Sequence, residues 1–412
     1  MDISTDRLRT DIETTATFGT LDGDGHGRTV LTGSDANQKA REYFLERLDD
    51  AGLSIRIDSV GNIVGRWVPE GASGAPVASG SHLDSVPEGG IFDGPLGVYA
   101  ALESVRAMQD ADRSPERPID VVSFTEEEGT TFSSGLLGSS VACGQRSIEE
   151  ALSLSDDTGQ TLETALEEIG FCGTGRLDAS TWDAWLELHI EQHIALERAN
   201  PPAGVVTDIT GITHCDVHIE GEANHAGSTP MDERTDALAA AGEFVTAVEN
   251  AARAASERAP AVGTVGRLTV EPNATNVIPE RVSMGVDIRS TEYESMNAIV
   301  EQMRQTLEQL TETRGVNTTC KRHFDLEPVA MSERCQRVLH DAGERATIET
   351  MTLHSGAAHD TMHIARVTDS GMLFAPSCAG ISHSPQEWTD WDDCASATTV
   401  LAGALAELAG AT

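Results

Sequence analysis

Lysine is nearly missing from this 412-residue chain: Lys39 and Lys321 are the only two, and every other basic residue is arginine. There is also no run of about eighteen apolar residues, so no membrane-spanning helix is expected. The N-terminal stretch MDISTDRLRTDIETTATFG has no apolar core and no small-residue cleavage site, which argues against a secretory signal. A cytoplasmic protein is the expectation. Seven cysteines (143, 172, 215, 320, 335, 378 and 394) are odd in number and include no C-x-x-C pair. That fits reduced cytosolic thiols, acting as small buried hydrophobes, better than a disulfide framework or a zinc knuckle.

Positive charge is what the chain lacks most: 67 acidic residues face 28 basic ones, for a net charge of −39. Such a polyanion repels nucleic acid and anionic membranes, so neither is an expected partner. The acids are spread along the chain (LERLDDAG, DDTGQTLETALEE, DWDD) instead of forming a tail. Dispersed carboxylates with so little lysine point to a surface adapted to very high salt, where self-repulsion is screened to a range of about 3 Å at 1 M. Folding or activity is therefore expected to require molar salt. Full activity in low-salt buffer would contradict this.

What is present is an ordinary core: 39% of residues are hydrophobic, and the length favours two domains. The first part reads as α/β. A helix capped by Asp35 is predicted through about Asp50, with Ala40, Phe44 and Leu48 on one face and Gly52 as its stop. Apolar runs follow at SIRIDSV, NIVGRWV and PVASGSHLDSV, then helical spacing from Gly94 to Gln109, then strands in PIDVVSFTEEEG, WDAWLELHIEQ and GMLFAPSCAGISH. This alternation predicts a largely parallel sheet with covered faces. Between about residues 211 and 328 the pattern changes. Cys215, Val217 and Ile219 alternate with His214, Asp216, His218 and Glu220, and Val282, Met284, Val286 and Ile288 form a second inward set. The predicted order β-α-β-β-α-β is a ferredoxin-like unit inserted into the larger domain. The boundaries expected are 1–210 with 329–412 for the larger domain, and 211–328 for the insert.

The chemistry-bearing residues gather at strand ends. His82 ends the strand in SGSHLDS, where open α/β sheets place their sites, and Asp84 is positioned to hold its second ring nitrogen. Asp93 lies in a glycine-rich turn, GGIFDGPLG, from which a carboxylate can bridge two cations. In FTEEEG, adjacent carboxylates repel unless a cation or a retained proton relieves them. Glu128 reads as a metal ligand, and Glu127 as a general base held just off the metal. His189 in LELHIEQH and His383 in GISHSP complete a set of three imidazoles and two carboxylates. Such a set suits zinc, with manganese, cobalt or nickel as alternatives.

HLDS, GGIFDGPLG, EEEG, ELHIEQ, NHAGSTPM, NVIP, SGAAHD and GISHSP together resemble the M20-type amidohydrolases of the hydantoinase/carbamoylase group, over about residues 60–390. That group includes N-carbamoyl-L-amino acid hydrolases, β-ureidopropionases and allantoate or ureidoglycine amidohydrolases. The resemblance implies a metallo-exopeptidase-like α/β domain, a smaller lid domain that dimerises, and a two-metal centre. His82 and His189 would hold one ion and Glu128 and His383 the other, with Asp93 between them and Glu127 as base. His225 would polarise the scissile carbonyl, with the partner subunit's site within its expected reach. Asn276 and Arg289 would bind the substrate carboxylate, with Gln192 and His359 as further substrate contacts. His193, His214, His218 and His363 have no motif support and read as ordinary polar residues. His193 and Ala358 stand where the group has glycine, Thr130 and Thr131 where Ser-Arg is common, and Glu280 where glycine follows NVIP. None of these removes a proposed ligand. The implied reaction is hydrolysis of a ureido or carbamoyl amide, with allantoate as the rival substrate and a non-catalytic metal-binding protein as the rival class.

Overall fold

A computed structural model describes residues 1–23, 25–132 and 135–411. The chain forms two compact units. One comprises Met1–Thr207, Ala330–Ser355 and His359–Thr412, and the other Asp208–Val329 with Gly356–Ala358.

The first unit is α/β, as the alternation of strands and helices predicts. Its sheet runs through Ser54–Ile57, Ile63–Trp67, Ile119–Phe124, Val77–His82, Ala184–Ile190, Ser370–Ala375 and Ala203–Ile209, in that spatial order. The four central strands, Ile119–Phe124, Val77–His82, Ala184–Ile190 and Ser370–Ala375, are mutually parallel. Every residue of these four is buried. The strands are therefore covered on both faces instead of alternating between core and solvent, and the polar residues they carry, such as Ser79, Asp120 and Glu187, are buried with the rest. The helix Pro95–Asp110 packs against this sheet with nearly all of its residues buried. The helix Asp35–Asp50 has the predicted extent, but its cap is Ser34, whose hydroxyl accepts the Asn37 N–H; Asp35 is already its first helical residue. Parallel strands must all end at the same edge, and that edge collects the polar residues that follow each of them.

The second unit has the order β-α-β-β-α-β: strand Gly211–Glu220, helix Ala237–Ser256, strands Ala261–Glu271 and Arg281–Ser290, helix Tyr293–Arg314 and strand Asn317–Leu326. The sheet is antiparallel, with Gly211–Glu220 between Asn317–Leu326 and Arg281–Ser290, and Ala261–Glu271 at an edge. Cys215, Val217, Ile219, Val282, Met284, Val286 and Ile288 pack with Phe244, Val248, Met296, Ile299 and Met303 of the two helices. The opposite face carries polar side chains, including His214, Asp216, Asp287 and Arg289, as period-2 alternation requires. Among the described residues no helix is long and apolar enough to cross a membrane, and all seven cysteines are free.

Candidate metal centre

Four parallel strands and one helix deliver the site. His82 is the last residue of Val77–His82 and pairs with Phe124, the last residue of the neighbouring strand. Thr125 to Glu128 therefore leave the sheet beside it. His189 lies near the end of Ala184–Ile190, opposite Phe374, and the chain beyond Ala375 returns to present His383. Asp93 precedes Gly94 and the helix Pro95–Asp110. Gly94 has φ +83°, and a Cβ there would sit 2.6 Å from the His82 ring, so the turn beside Asp93 admits no side chain. Glu126, Gln192 and His383 also lie in the left-handed region, at φ 55°, 57° and 54°. Each costs about 1–3 kcal/mol, and such strain persists where the surroundings over-determine it.

Nε2 of His82 and of His189 lie 3.5 and 3.1 Å from Asp93 Oδ1. Nε2 of His383 lies 3.4 Å from Asp93 Oδ2 and 3.5 Å from Glu128 Oε2. Thus His82, Asp93 and His189 form one group of potential ligands, and Asp93, Glu128 and His383 another. Most of these separations are long for a hydrogen bond. They match the spacing of about 3.3 Å between neighbouring ligands that each stand about 2.0–2.1 Å from a tetrahedral zinc. Nε2 of His82 and Oε1 of Glu128 are buried and have no hydrogen-bond partner. Two orphaned polar atoms facing one cluster are what a shared cation would satisfy. The donor set therefore fits divalent metal.

The electrostatics agree. Burial opposes charge on His82, yet Glu127, Asp93, Asp84 and Glu128 outweigh it and raise its pKa well above the ordinary imidazole value. His383, half-exposed, is raised to about 9, chiefly by the neighbouring Asp93 carboxylate. Burial alone would raise Asp93, but the three imidazoles hold it well below the usual carboxylate range. Glu128 is pushed up to about 7, first by burial and then by Asp93. Positive charge is thus favoured throughout the cradle.

The three adjacent glutamates separate. Glu126 turns away, and its Oε1 accepts the Thr131 and Phe132 N–H groups at 2.8 and 2.6 Å. Glu128 faces His383 and Asp93. Glu127 lies between, its Oε2 3.6 Å from His82 Nε2. Burial, then the charge of Glu128, raises the Glu127 pKa well above normal against the opposing pull of His82. Asp84 differs from expectation. Its backbone carbonyl lies 3.1 Å from His82 Nδ1, whereas its carboxylate is 3.8 Å away and accepts the Glu128 N–H. His189 Nδ1 is likewise held by a carbonyl, that of Ile190. Glu191 is occupied in accepting the Ala195 and Leu196 N–H groups.

Gln192 donates Nε2 to Asp93 Oδ2 at 2.8 Å and to Ser382 at 3.0 Å. His359 is buried edge-on against His189, with ring centroids 4.5 Å apart, and lies 3.0 Å from the Ser355 hydroxyl. Three further residues support Asp93, and of these only Ser382, inside GISHSP, lies in a motif. Glu387 Oε1 accepts the N–H groups of Phe92 and Asp93, and Ser382 donates to Asp93 Oδ2. Arg28, fully buried, donates to the carbonyls of Leu83, Gly90 and Asp93. Glu387 is one acid among many in an acidic chain, and Arg28 lies in a loop without a motif.

In the second unit, His225 is exposed, and its Nδ1 accepts the N–H groups of Gly227 and Ser228 at 3.0 and 3.1 Å. An acceptor Nδ1 in a neutral imidazole places the proton on Nε2, which is left as an outward donor. The Asn276 carbonyl accepts the Ala226 N–H, so the loops bearing His225 and Asn276 are tied together. Arg289 sits half-exposed on the polar face of the sheet.

Residues 78–407 match peptidase family M20/M25/M40. The chain is 37% identical to an N-carbamoyl-L-amino-acid amidohydrolase of Pseudomonas sp. (strain NS671), over 97% of each chain. It is 35% identical to an allantoate amidohydrolase of Bacillus subtilis, over 82% of each. A solved amidase of the hydantoinase/carbamoylase family from Burkholderia multivorans superposes with a TM-score of 0.94 at 33% identity, covering 99% of this chain and 98% of that one. With the match spanning most of the sequence and the ligand groups assembled at the parallel strand ends, the chain belongs to peptidase family M20/M25/M40.

Proposed function

We propose that the chain hydrolyses the carbamoyl C–N bond of N-carbamoyl-L-amino acids, releasing the amino acid, carbon dioxide and ammonia. The observation that carries this reading is the pair of ligand groups sharing Asp93, with the buried carboxylate of Glu127 beside them. The substrate class follows the relatives named above. His82, Asp93 and His189 would hold one divalent ion and Asp93, Glu128 and His383 the other, zinc being favoured by three imidazoles over hard oxygen donors. Bound ions would supply Lewis acidity, lowering the pKa of water and polarising the scissile carbonyl.

Glu127 takes a proton from the attacking water and later returns it to the leaving nitrogen; its raised pKa makes it a stronger base for the first of these transfers. His225 donates through Nε2 to the oxyanion, a preorganised donor aimed at developing charge. Arg289 and Asn276 bind the substrate carboxylate. Gln192, its amide nitrogen already used, offers Oε1 to the substrate, and His359 lines the site next to His189. The remaining carbamic acid breaks down to carbon dioxide and ammonia. We infer further that the enzyme is cytoplasmic, works as a homodimer through its smaller unit, and requires molar salt.

The test is a substrate panel in high salt with zinc, manganese or cobalt added: N-carbamoyl amino acids, β-ureidopropionate, allantoate and N-acetyl amino acids, followed by ammonia and product release. The expected result is the highest kcat/KM on an N-carbamoyl-L-amino acid. A higher value on allantoate would replace the substrate while keeping the chemistry. No turnover on any member with metal bound would overturn the enzyme reading.

A further inference from the structure

Arg289 is not a free guanidinium. Asp287, two residues before it on the strand Arg281–Ser290, lies on the same face and accepts from Nε at 3.1 Å and from Nη2 at 3.3 Å. The Gly356 carbonyl accepts from Nη1 at 2.9 Å. Asp287 is held in turn. His214, directly opposite on Gly211–Glu220, brings Nε2 within 3.0 Å of Asp287 Oδ2, and its ring stacks on Phe324 with centroids 5.2 Å apart. A guanidinium has five N–H donors in a rigid plane. Asp287 uses the Nε/Nη2 edge and Gly356 one hydrogen of Nη1. One N–H on each of Nη1 and Nη2 is left over, and both are donors that a substrate carboxylate can accept from.

We propose that Asp287, backed by His214, is a positioning residue for substrate binding: it orients Arg289 so that its remaining two donors face the substrate carboxylate. This rests on the reading of Arg289 as the carboxylate-binding residue. A flexible arginine would have to lose its rotamer freedom each time substrate binds. One already fixed by Asp287 and Gly356 has lost it beforehand, and preorganisation of this kind appears as affinity. The carboxylate does not touch the reacting bond, so the effect falls on binding and not on the chemical step.

The experiment uses the metal-loaded enzyme and the best carboxylate-bearing substrate of the panel, together with its uncharged carboxamide counterpart. Asp287→Ala is expected to raise KM for the carboxylate by about tenfold with kcat within about twofold, the pattern of lost uniform binding. Asp287→Asn, which keeps one acceptor oxygen, should fall between it and the parent. Neither variant should change KM for the carboxamide, which a merely destabilising substitution would not spare. Arg289→Ala should raise KM at least as much, and the double variant Asp287→Ala/Arg289→Ala should be no worse than Arg289→Ala alone. If Arg289→Ala raises KM and Asp287→Ala does not, the positioning role is overturned while the carboxylate reading stands. If neither substitution changes KM, both fall.

Discussion

Glu127→Gln is expected to keep a full complement of bound metal and to lose on the order of a hundredfold or more in kcat, the scale of a lost general base. The substitution is nearly isosteric, and Glu127 is outside the two ligand groups that share Asp93. It does, however, lie close enough to His82 and Glu128 to form a third potential group with them. Measuring metal content beside turnover separates the two roles. Metal retained with kcat and kcat/KM falling together identifies a group that acts in the transition state. Metal lost together with activity would move Glu127 into the ligand set, and near-normal turnover with metal retained would refute the base assignment. The buried, raised-pKa carboxyl is already disposed towards its neutral form in the metal-free protein, so the amide should not unfold the chain; a thermal melt checks this.

Much of the cradle was legible because it depends on a local rule. An apolar run that ends in a polar residue marks the end of a buried strand, and parallel strands have no choice but to end together. His82, the glutamate triplet and His189 follow from that rule, and His383 follows the last such strand. Period-2 alternation similarly put Val282, Met284, Val286 and Ile288 on one face and Asp287 and Arg289 on the other. What was not legible depends on contacts between distant segments. Glu387 is 294 positions from the Asp93 backbone it supports, and Arg28 is 65 from the Asp93 carbonyl. Neither differs in type from its many solvated counterparts. Asp84 departs from its expected role for a related reason. Sequence proximity offered its carboxylate to His82, but the carbonyl of the same residue reaches the ring first, and the carboxylate finds the Glu128 N–H. The helix cap moved from Asp35 to Ser34 because either residue could start that helix and only the backbone decides. His214 reads as an ordinary strand histidine until its cross-strand partner is known.

Asp93→Ala should have the largest effect on metal content. One small side chain faces all three imidazoles, accepts from Gln192 and Ser382, and belongs to both groups of ligands. Removing it deletes a ligand from each group at once and leaves His82 and His189 with no carboxylate between them. We expect the purified variant, dialysed in high salt and analysed by elemental emission, to hold neither ion, and its turnover to fall below detection. Loss of a single equivalent would assign Asp93 to one ion only, and retention of both would remove it from the centre. A graded companion sharpens the result. Glu387→Gln keeps an oxygen able to accept the Phe92 and Asp93 N–H groups but removes the charge behind them, so both ions should still bind. Their affinity, read by calorimetric titration, should fall by about 10–100-fold, the usual cost of altering a residue that orients a metal ligand. The order expected is therefore parent, then Glu387→Gln, then Asp93→Ala. It follows from how directly each carboxylate acts: Asp93 faces the imidazoles with its own side chain, whereas Glu387 stands behind it, accepting the Asp93 N–H and a hydrogen bond from Ser382.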